Sequence, residues 1–312
     1  MASVTLAESA KLAQDELVAG VIENVVTTNQ MYEMLPFDAF DGNSLQYNRE
    51  NALGAVAAAG VGQDLSVNSG ATYKAAATFT KVNVGLTKII GDAEVDNMIQ
   101  ATRSGDGNDQ EALQIASKAK SIGREYQRQL INGSGSSDEF TGLLGLCASG
   151  QKTTPATNGQ AVSFELLDEG MDLVEDKDGY VDYVMMHKRT RRSYRSLLRG
   201  LGGASINEVF ELPSGGEVIA YSSTPIFRND YIPVDQTQGN VSTATTILMG
   251  SIDDGSRNYG IAGLTARNEA GISVVPVGEK ENADETLTRI RWYCSLALFS
   301  EKGLAAIPGV TN

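Results

Sequence analysis

A long segment with few large side chains separates two strand-like stretches of this sequence. Residues 52–71 are rich in Ala and Gly. Leu45, Tyr47 and Arg49 suggest a strand before them, and the strict alternation over 82–86 suggests another after them. Because small side chains cannot pin the segment to a core, we expect it to project as a long, mobile hairpin. Connections longer than about 15 residues are usually functional or disordered. The strands at its base favour function, as an arm that pairs with another subunit.

Apolar residues recur at helical spacing in four other segments. The first is an amphipathic helix over residues 6–25, which has to find an apolar surface on its own core or on a neighbour. The longest runs from about 109 to 131 and ends in the Asn-Gly-Ser-Gly sequence of 132–135, a strong helix-stop signal. Shorter helices are predicted at 165–175 and 190–201. Strands are predicted at 181–186, 218–221, 246–249, 272–277 and 287–299.

The charge balance argues against a protein that binds nucleic acid. The 312 residues carry 39 Asp and Glu against 25 Lys and Arg, a formal net charge of −14. Binding phosphates needs clustered basic residues, whereas strong acidity repels DNA and keeps copies soluble. No apolar run approaches the roughly 20 residues that span a bilayer, and the first residues lack the pattern of a signal peptide. We therefore expect a protein made in the cytosol, with no membrane partner.

Signals for catalysis are sparse. His187 is the one histidine, and a structural role is favoured because no second histidine or H-E-x-x-H motif supports a metal. There is no G-x-S-x-G nucleophile elbow, and the glycine-rich residues 133–137 lack the ending of a phosphate loop. Cys147 and Cys294 belong to no C-x-x-C pair, so free core thiols are expected. The sequence predicts no enzyme activity, no cofactor and no metal.

One group of basic residues contrasts with this acidity. Its members are Lys188, Arg189, Arg191, Arg192, Arg195 and Arg199. One interpretation is a face that binds phosphate or another acid. The other is a helix whose basic side meets acidic neighbours across a subunit contact, or water. No aromatic residues are interleaved as a stacking platform and the rest of the chain is acidic, so we favour the second interpretation.

Short segments spread over nearly the whole chain occur in a recognisable order. They are MLPF (34–37), LQYNRE (45–50), LING (130–133), FTGLL (140–144), MMHKRT (185–190), TPIFRND (224–230), MGS (249–251), RIRWY (289–293) and GLAAI (303–307). In this order and spacing they resemble the major capsid protein family of tailed bacteriophages, whose fold is shared with encapsulin shells. No single segment is specific alone. The loop tip departs from the family in lacking an obvious tryptophan.

The resemblance implies an α+β fold with the parts of that family. They are an N-terminal arm (1–30), an extended β-hairpin loop with its base (31–90), a peripheral domain (91–181) with a spine helix at about 109–131, an apical domain (182–277), and a long peripheral-domain strand with a C-terminal tail (278–312). The implied function is a structural subunit that self-assembles into hexamers and pentamers, forming an icosahedral shell around double-stranded DNA. Assembly is expected in the host cytoplasm, and the final location is the virion capsid.

The resemblance also implies where subunits meet. Arms and loops would lie over neighbouring subunits, and the residues expected at these interfaces are Leu6, Leu17, Val25, Tyr47 and Phe79. Further partners would be scaffolding, portal or decoration proteins, and DNA held by enclosure without sequence-specific binding. No scaffold-like extension precedes residue 1, so scaffolding is expected from a separate protein, from a removed segment, or not at all. The alternatives are an encapsulin that encloses an enzyme and, less favoured without a signal sequence, a secreted adhesin or surface-layer protein.

Overall fold

The protein combines helices and strands in an α+β fold, as predicted. The structure, a computed structural model, describes residues 31, 34–58, 60–62, 75–103, 109–136, 138–176, 179–200, 209–213 and 215–311. The expected arm at 1–30 and part of the Ala/Gly-rich segment, 63–71, lie outside these residues. The helices are α1 (Asn97–Arg103), α2 (Gln110–Asn132), α3 (Leu143–Leu146), α4 (Phe164–Glu175) and α5 (Lys188–Gly200), with 3₁₀ turns at Ser149–Gln151 and Glu301–Gly303. Within the described ranges, no helix is long and apolar enough to cross a membrane.

Fifteen strands are found in the described part of the chain, in two sheets and one hairpin. They are β1 (Phe37–Phe40), β2 (Ser44–Ala52), β3 (Thr78–Gly85), β4 (Thr87–Asp96), β5 (Gln160–Ala161), β6 (Tyr183–Met186), β7 (Val209–Glu211), β8 (Glu217–Tyr221), β9 (Thr224–Arg228), β10 (Gln236–Gln238), β11 (Val241–Gly250), β12 (Ile261–Ala266), β13 (Ile272–Glu279), β14 (Glu285–Leu298) and β15 (Leu304–Thr311). Strands β2 and β3 form the hairpin, which confirms the two strand predictions there.

The long strand β14 organises a five-stranded sheet. Strand β4 pairs with it antiparallel, from Glu285 opposite Asp96 to Cys294 opposite Thr87. Along the other edge of β14, β13 pairs near its start and β12 near its end, and β1 joins β12 in parallel. Every residue of β14 from Cys294 onward is buried. The far end of this strand therefore lies inside the molecule.

Helix α2 packs on the face of this sheet that β4 and β14 form. Its buried residues include Ile122, Tyr126 and Leu130, spaced four apart on one side of the helix. The ring of Tyr126 lies 4.6 Å from the ring of Trp292 on β14. The carboxylate of Asp109 accepts hydrogen bonds from two backbone N–H groups in the first turn, which caps the helix. Local sequence signals thus placed this helix to within one residue.

Two glycines allow the chain to cross itself directly after α2. The N–H of Gly133 donates to the carbonyl of Gln129 at 2.8 Å, and the N–H of Gly142 donates to the carbonyl of Gly133 at 3.0 Å. A Cβ atom on Gly133 would lie 2.1 Å from the carbonyl oxygen of Phe140. Only glycine fits so close an approach of two backbone segments.

The second sheet has eight strands in the order β5-β15-β11-β6-β9-β8-β7, with β10 paired to β11. Helices α4 and α5 cover one face, where Leu167, Tyr194 and Ile226 belong to one buried cluster. Other residues of this sheet, such as Phe227, belong to the largest buried cluster, which also contains Trp292 of the first sheet. The two sheets therefore share a continuous core.

The two sheets do not follow the ranges expected for the two domains. Helix α4, within 91–181, packs on the eight-stranded sheet. Strand β12, within 182–277, lies in the five-stranded sheet, whereas β15, within 278–312, lies in the eight-stranded one. The division of the chain into a peripheral and an apical domain stays a prediction.

Both cysteines are free and buried, as predicted. Burial raises the pKa of Cys147 to about 11 and that of Cys294 to about 12. Because the thiolate is the reactive form, neither side chain is a nucleophile near neutral pH.

Candidate assembly surfaces

The hairpin is fastened to the body by a group of contacts that we call the hairpin root. The hydroxyl of Tyr47 donates to the carbonyl of Leu298 at 2.6 Å. The guanidinium of Arg49 donates to the same carbonyl at 2.7 Å and to the carbonyl of Phe299 at 2.9 Å. It also pairs with Glu301 at 2.6 Å. Hydrogen bonds from a charged donor are the stronger kind, so the root fixes the direction in which the hairpin leaves the body.

A small apolar cluster lies beneath the hairpin root. The rings of Tyr47 and Phe299 pack edge to face at 5.3 Å. The buried members are Phe40, Ala262, Leu264, Ala297 and Phe299, and Leu45, Val84 and Leu86 also pack against them. Burial raises the pKa of Tyr47 above its ordinary value. The hydroxyl therefore stays protonated and keeps its hydrogen bond at neutral pH.

Beyond its root, the hairpin exposes large apolar side chains. Phe79 is 66% exposed, Leu53 80% and Val56 91%. A two-stranded hairpin is marginally stable in water by itself, and its edges offer unpaired backbone groups to another chain. Clustered exposed apolar residues mark interaction sites. The outer part of the hairpin is therefore a candidate docking surface.

A second apolar surface lies on the edge strand β13. Ile272 pairs with Trp292 and Val274 pairs with Ile290, so these side chains share one face of the sheet. Helix α2 covers Trp292 and Ile290, which are buried, but Ile272 and Val274 remain 43% and 48% exposed. Val277 is also exposed on this strand. This ledge beside the long helix is a second candidate docking surface.

His187 has a structural role in this fold. It is buried at the junction of β6 and α5, and its Nδ1 accepts a hydrogen bond from the backbone N–H of Arg189 at 3.2 Å. Burial lowers its pKa, which favours the neutral ring that can accept this bond. In the part of the chain that the structure describes, no group of three or more His, Cys, Asp or Glu residues could hold a metal ion.

No protein-family model and no curated protein sequence matches this chain. Solved structures do match it, along nearly its whole length. The SrpI encapsulin of Synechococcus elongatus is 18% identical with a TM-score of 0.73, over 99% of this chain and 96% of that chain. The capsid of cyanophage A-1(L) is 11% identical with a TM-score of 0.72, over 99% and 100%. The capsid of a native GTA particle is 13% identical with a TM-score of 0.67, over 99% of each chain. The chain has the major capsid protein fold.

The resemblance that the ordered segments indicated is thereby confirmed for the fold. Two of those segments lie where neighbouring backbone closely constrains the chain. Residues 130–133 end the long helix, where Gly133 makes room for the crossing chain. Residues 289–293 lie in β14, which is paired on both sides. From here on we call α2 the spine helix.

The residues predicted at interfaces have different places in this capsid fold. Phe79 is exposed on the outer hairpin opposite Glu50, which fits the prediction without testing it. Tyr47 belongs to the hairpin root, where its hydrogen bond and ring contact are made within its own chain. Its contact with a neighbour stays a prediction. The other three, Leu6, Leu17 and Val25, lie outside the described residues.

Sequence reasoning missed the ledge on β13 and the root residue Arg49. The alternation at 272–277 predicted the strand, but nothing local shows that the spine helix stops short of it. Arg49 was placed in a strand, yet its partners lie about 250 residues away in the chain. The available signal was that Arg49 falls on the same side of the predicted strand as Leu45 and Tyr47.

The basic group of residues lies on helix α5, as predicted. The buried residues of this helix, Thr190, Tyr194 and Leu198, face the eight-stranded sheet. Lys188 reaches Asp230 at 4.0 Å, and Arg189 donates to the carbonyl of Thr243. Of the remaining basic side chains of α5, Arg192, Arg195 and Arg199 are exposed and Arg191 is half-buried.

Proposed function

We propose that this chain is the structural subunit of an icosahedral viral capsid and that it catalyses no reaction. Copies would form hexamers and pentamers that close into a shell around double-stranded DNA. The hairpin carries this proposal, because its root is fixed while Phe79 and its outer apolar neighbours are exposed. In an isolated subunit the exposed side chains of the hairpin stay in water, whereas in a shell they are buried wherever the hairpin lies over a neighbour.

The N-terminal arm, the loop and the two sheets would have different roles in the shell. The arm at 1–30 would dock on neighbours through Leu6, Leu17 and Val25, and the loop at 31–90 would do so through Phe79. The five-stranded sheet with the spine helix would form the core of the peripheral domain, and the eight-stranded sheet that of the apical domain. With a net charge of −14, the wall would enclose DNA rather than bind its sequence. Assembly would take place in the host cytoplasm, with scaffolding, portal or decoration proteins as further partners in the virion.

The first test is assembly of the full chain, measured by negative-stain microscopy and by light scattering. We expect closed shells, or rings of five and six copies of the 33.1 kDa chain. The variant Phe79→Ser should shift the population toward single chains, because each hairpin contact loses about 1.5–3 kcal/mol of apolar burial. Thr80→Ser is the matched control, since it keeps the hydroxyl on the next residue of the same strand.

Each outcome of this test has a defined meaning. A mass that stays at one chain at every concentration, with and without a crowding agent, contradicts the proposed self-assembly. Normal shells from Phe79→Ser would show that the hairpin is not a docking surface. Shells that enclose a co-purifying enzyme would indicate an encapsulin compartment instead of a capsid.

A further inference from the structure

Two neighbouring helices on one face of the eight-stranded sheet carry charges of opposite sign. The exposed side of α4 carries carboxylates only, and the helix contains no basic residue. Helix α5 carries basic residues only, with no acidic one. The helices touch through the rings of Phe164 and Tyr194, 6.1 Å apart. Each helix is therefore anchored by its apolar side and presents one sign of charge.

The charges form two stripes of equal spacing. We call Glu165, Asp168, Glu169 and Asp172 the acidic stripe, and Lys188, Arg191, Arg192 and Arg195 the basic stripe. Both follow the steps i, i+3, i+4 and i+7, which place the four side chains on one side of a helix. Both extend over about 10.5 Å of helix axis. Two such stripes laid against each other match charge for charge.

Few of these charges form ion pairs with the described residues. Arginines elsewhere form ion pairs, at positions Arg49, Arg128, Arg257, Arg267, Arg289 and Arg291. Over the described residues, no ion pair is found for Arg191, Arg192 or Arg195. The acidic stripe forms no ion pair with described residues either, although Asp168 accepts a hydrogen bond from the hydroxyl of Tyr221 at 2.5 Å. Although the two helices touch, all of the acidic stripe and three of the four residues of the basic stripe therefore lack an ion-pair partner among the described residues.

The basic stripe is unfavourable for the subunit alone. Arg191 is half-buried beside Arg195 and Arg228, and burial followed by these like charges lowers its pKa. Helix α5 also begins with Lys188 and Arg189, although the positive end of a helix dipole prefers acidic residues. A partner that brings carboxylates to this stripe removes both penalties.

From these observations, and resting on the shell function proposed above, we propose that the acidic stripe of one copy docks on the basic stripe of the next. The two surfaces differ, so the contact is head-to-tail and closes into a ring when its rotation allows. A nucleic acid would also offer negative charge. The protein partner is favoured because the matching stripe is present on the same chain and no aromatic platform accompanies the arginines. Complementary charges of this kind set orientation and partner choice.

Charge reversal tests the pairing directly. The variant Arg191→Glu with Arg192→Glu reverses the two central charges of the basic stripe, and Asp168→Arg with Glu169→Arg reverses the two central charges of the acidic one; these central positions face each other whichever way the stripes run. We expect each double variant to need at least about tenfold more protein to form rings or shells. The quadruple variant should assemble like the original chain, because the pairs are restored with opposite sign. A charge-matched control, Lys118→Glu with Arg124→Glu on the exposed side of the spine helix, should assemble normally.

A mixture of the two double variants gives a sharper result. Each copy then finds a complementary stripe only on the other variant, so the copies must alternate around a ring. Alternation closes in a ring of six and fails in a ring of five. We expect the equimolar mixture to restore hexamers but not pentamers.

Other outcomes overturn the inference. Double variants that assemble normally, or a quadruple variant that is not restored while its thermal unfolding matches the original chain, would show that the stripes do not meet. If reversing the basic stripe leaves assembly intact but lowers the DNA retained by the shells, the stripe binds nucleic acid instead. Failure of the unaltered chain to assemble at all would count against the proposed function, and it is seen before any variant is compared.

Discussion

Gly133 shows how strongly a single residue can constrain this fold. Its backbone lies against that of Gln129, Phe140 and Gly142, which leaves no space for a side chain. Glycine is required here because two backbone segments approach closely. The backbone angle itself is ordinary for any residue, since φ is −54°. Gly123 offers the contrast, because a Cβ there meets nothing within 4 Å.

We expect Gly133→Ala to destabilise the unassembled chain by roughly 2 kcal/mol or more, because the added methyl collides with backbone that cannot move aside. Gly123→Ala should instead stabilise it by about 0.5–1 kcal/mol, since alanine favours the helix interior. Urea unfolding measures both free energies. Equal effects of the two substitutions would contradict the crossing-chain explanation.

The ion pairs of Arg128 should make the free energy of unfolding depend on pH in the acidic range. Its guanidinium bonds to Glu125 on the spine helix at 3.0 Å and also pairs with Glu139 in the turn that follows. These hydrogen bonds hold the pKa of both carboxyls below their ordinary value of 4.5. A carboxyl with a depressed folded pKa stabilises the fold above its unfolded pKa and loses that contribution as the pH falls.

Stability should therefore decline as the pH falls below about 4.5, and Arg128→Gln should make that decline shallower. The measurement is the free energy of unfolding at a series of pH values. Arg124→Gln is the control, one turn earlier, where no ion pair is found among the described residues. The same pH profile for both variants would show that Arg128 does not set the slope.

At the scale of elements, the hairpin is the part that depends most on distant contacts. We expect Arg49→Ala to loosen the hairpin root without unfolding the core. Loss of a charged hydrogen bond costs about 1.5–3 kcal/mol, which would make the amides of β2 and β3 exchange hydrogen about 10- to 100-fold faster. Lys81→Ala, on the exposed side of the same hairpin, should leave exchange unchanged. Protection that is equal in the two variants would rule out the root as the anchor.

Local signals predicted some elements well and missed others for a physical reason. The spine helix was predicted at 109–131 and β14 at 287–299, because each combines a regular apolar pattern with a clear stop. Strands β12 and β15 were missed, since sequences such as IAGLTA and LAAIPGVT consist largely of small residues and one proline with weak strand preference. They are strands because long-range pairing buries them. The same holds for the candidate surfaces: the pattern placed Phe79 on a strand, whereas the partners of Arg49 and the uncovered side of β13 depend on tertiary packing.

At the scale of the whole molecule, the described residues form one continuous body and one projecting hairpin. Trp292 and Phe227, from different sheets, belong to the same buried cluster, so the body is continuous. The hairpin shares none of the sheet pairing and joins this body through its root. Neighbours that hold the hairpin would therefore act on the body through the few contacts around Tyr47 and Arg49.

That arrangement has a mechanical consequence. Tyr47 and Arg49 of the hairpin root donate hydrogen bonds to the carbonyls of Leu298 and Phe299, at the end of β14. Strand β14 pairs with β4 from Glu285–Asp96 to Cys294–Thr87. A force along β14 would therefore shear this whole ladder, and its hydrogen bonds would share the load. The hairpin is thus tied to the longest strand of the described residues, which a long antiparallel ladder holds in place.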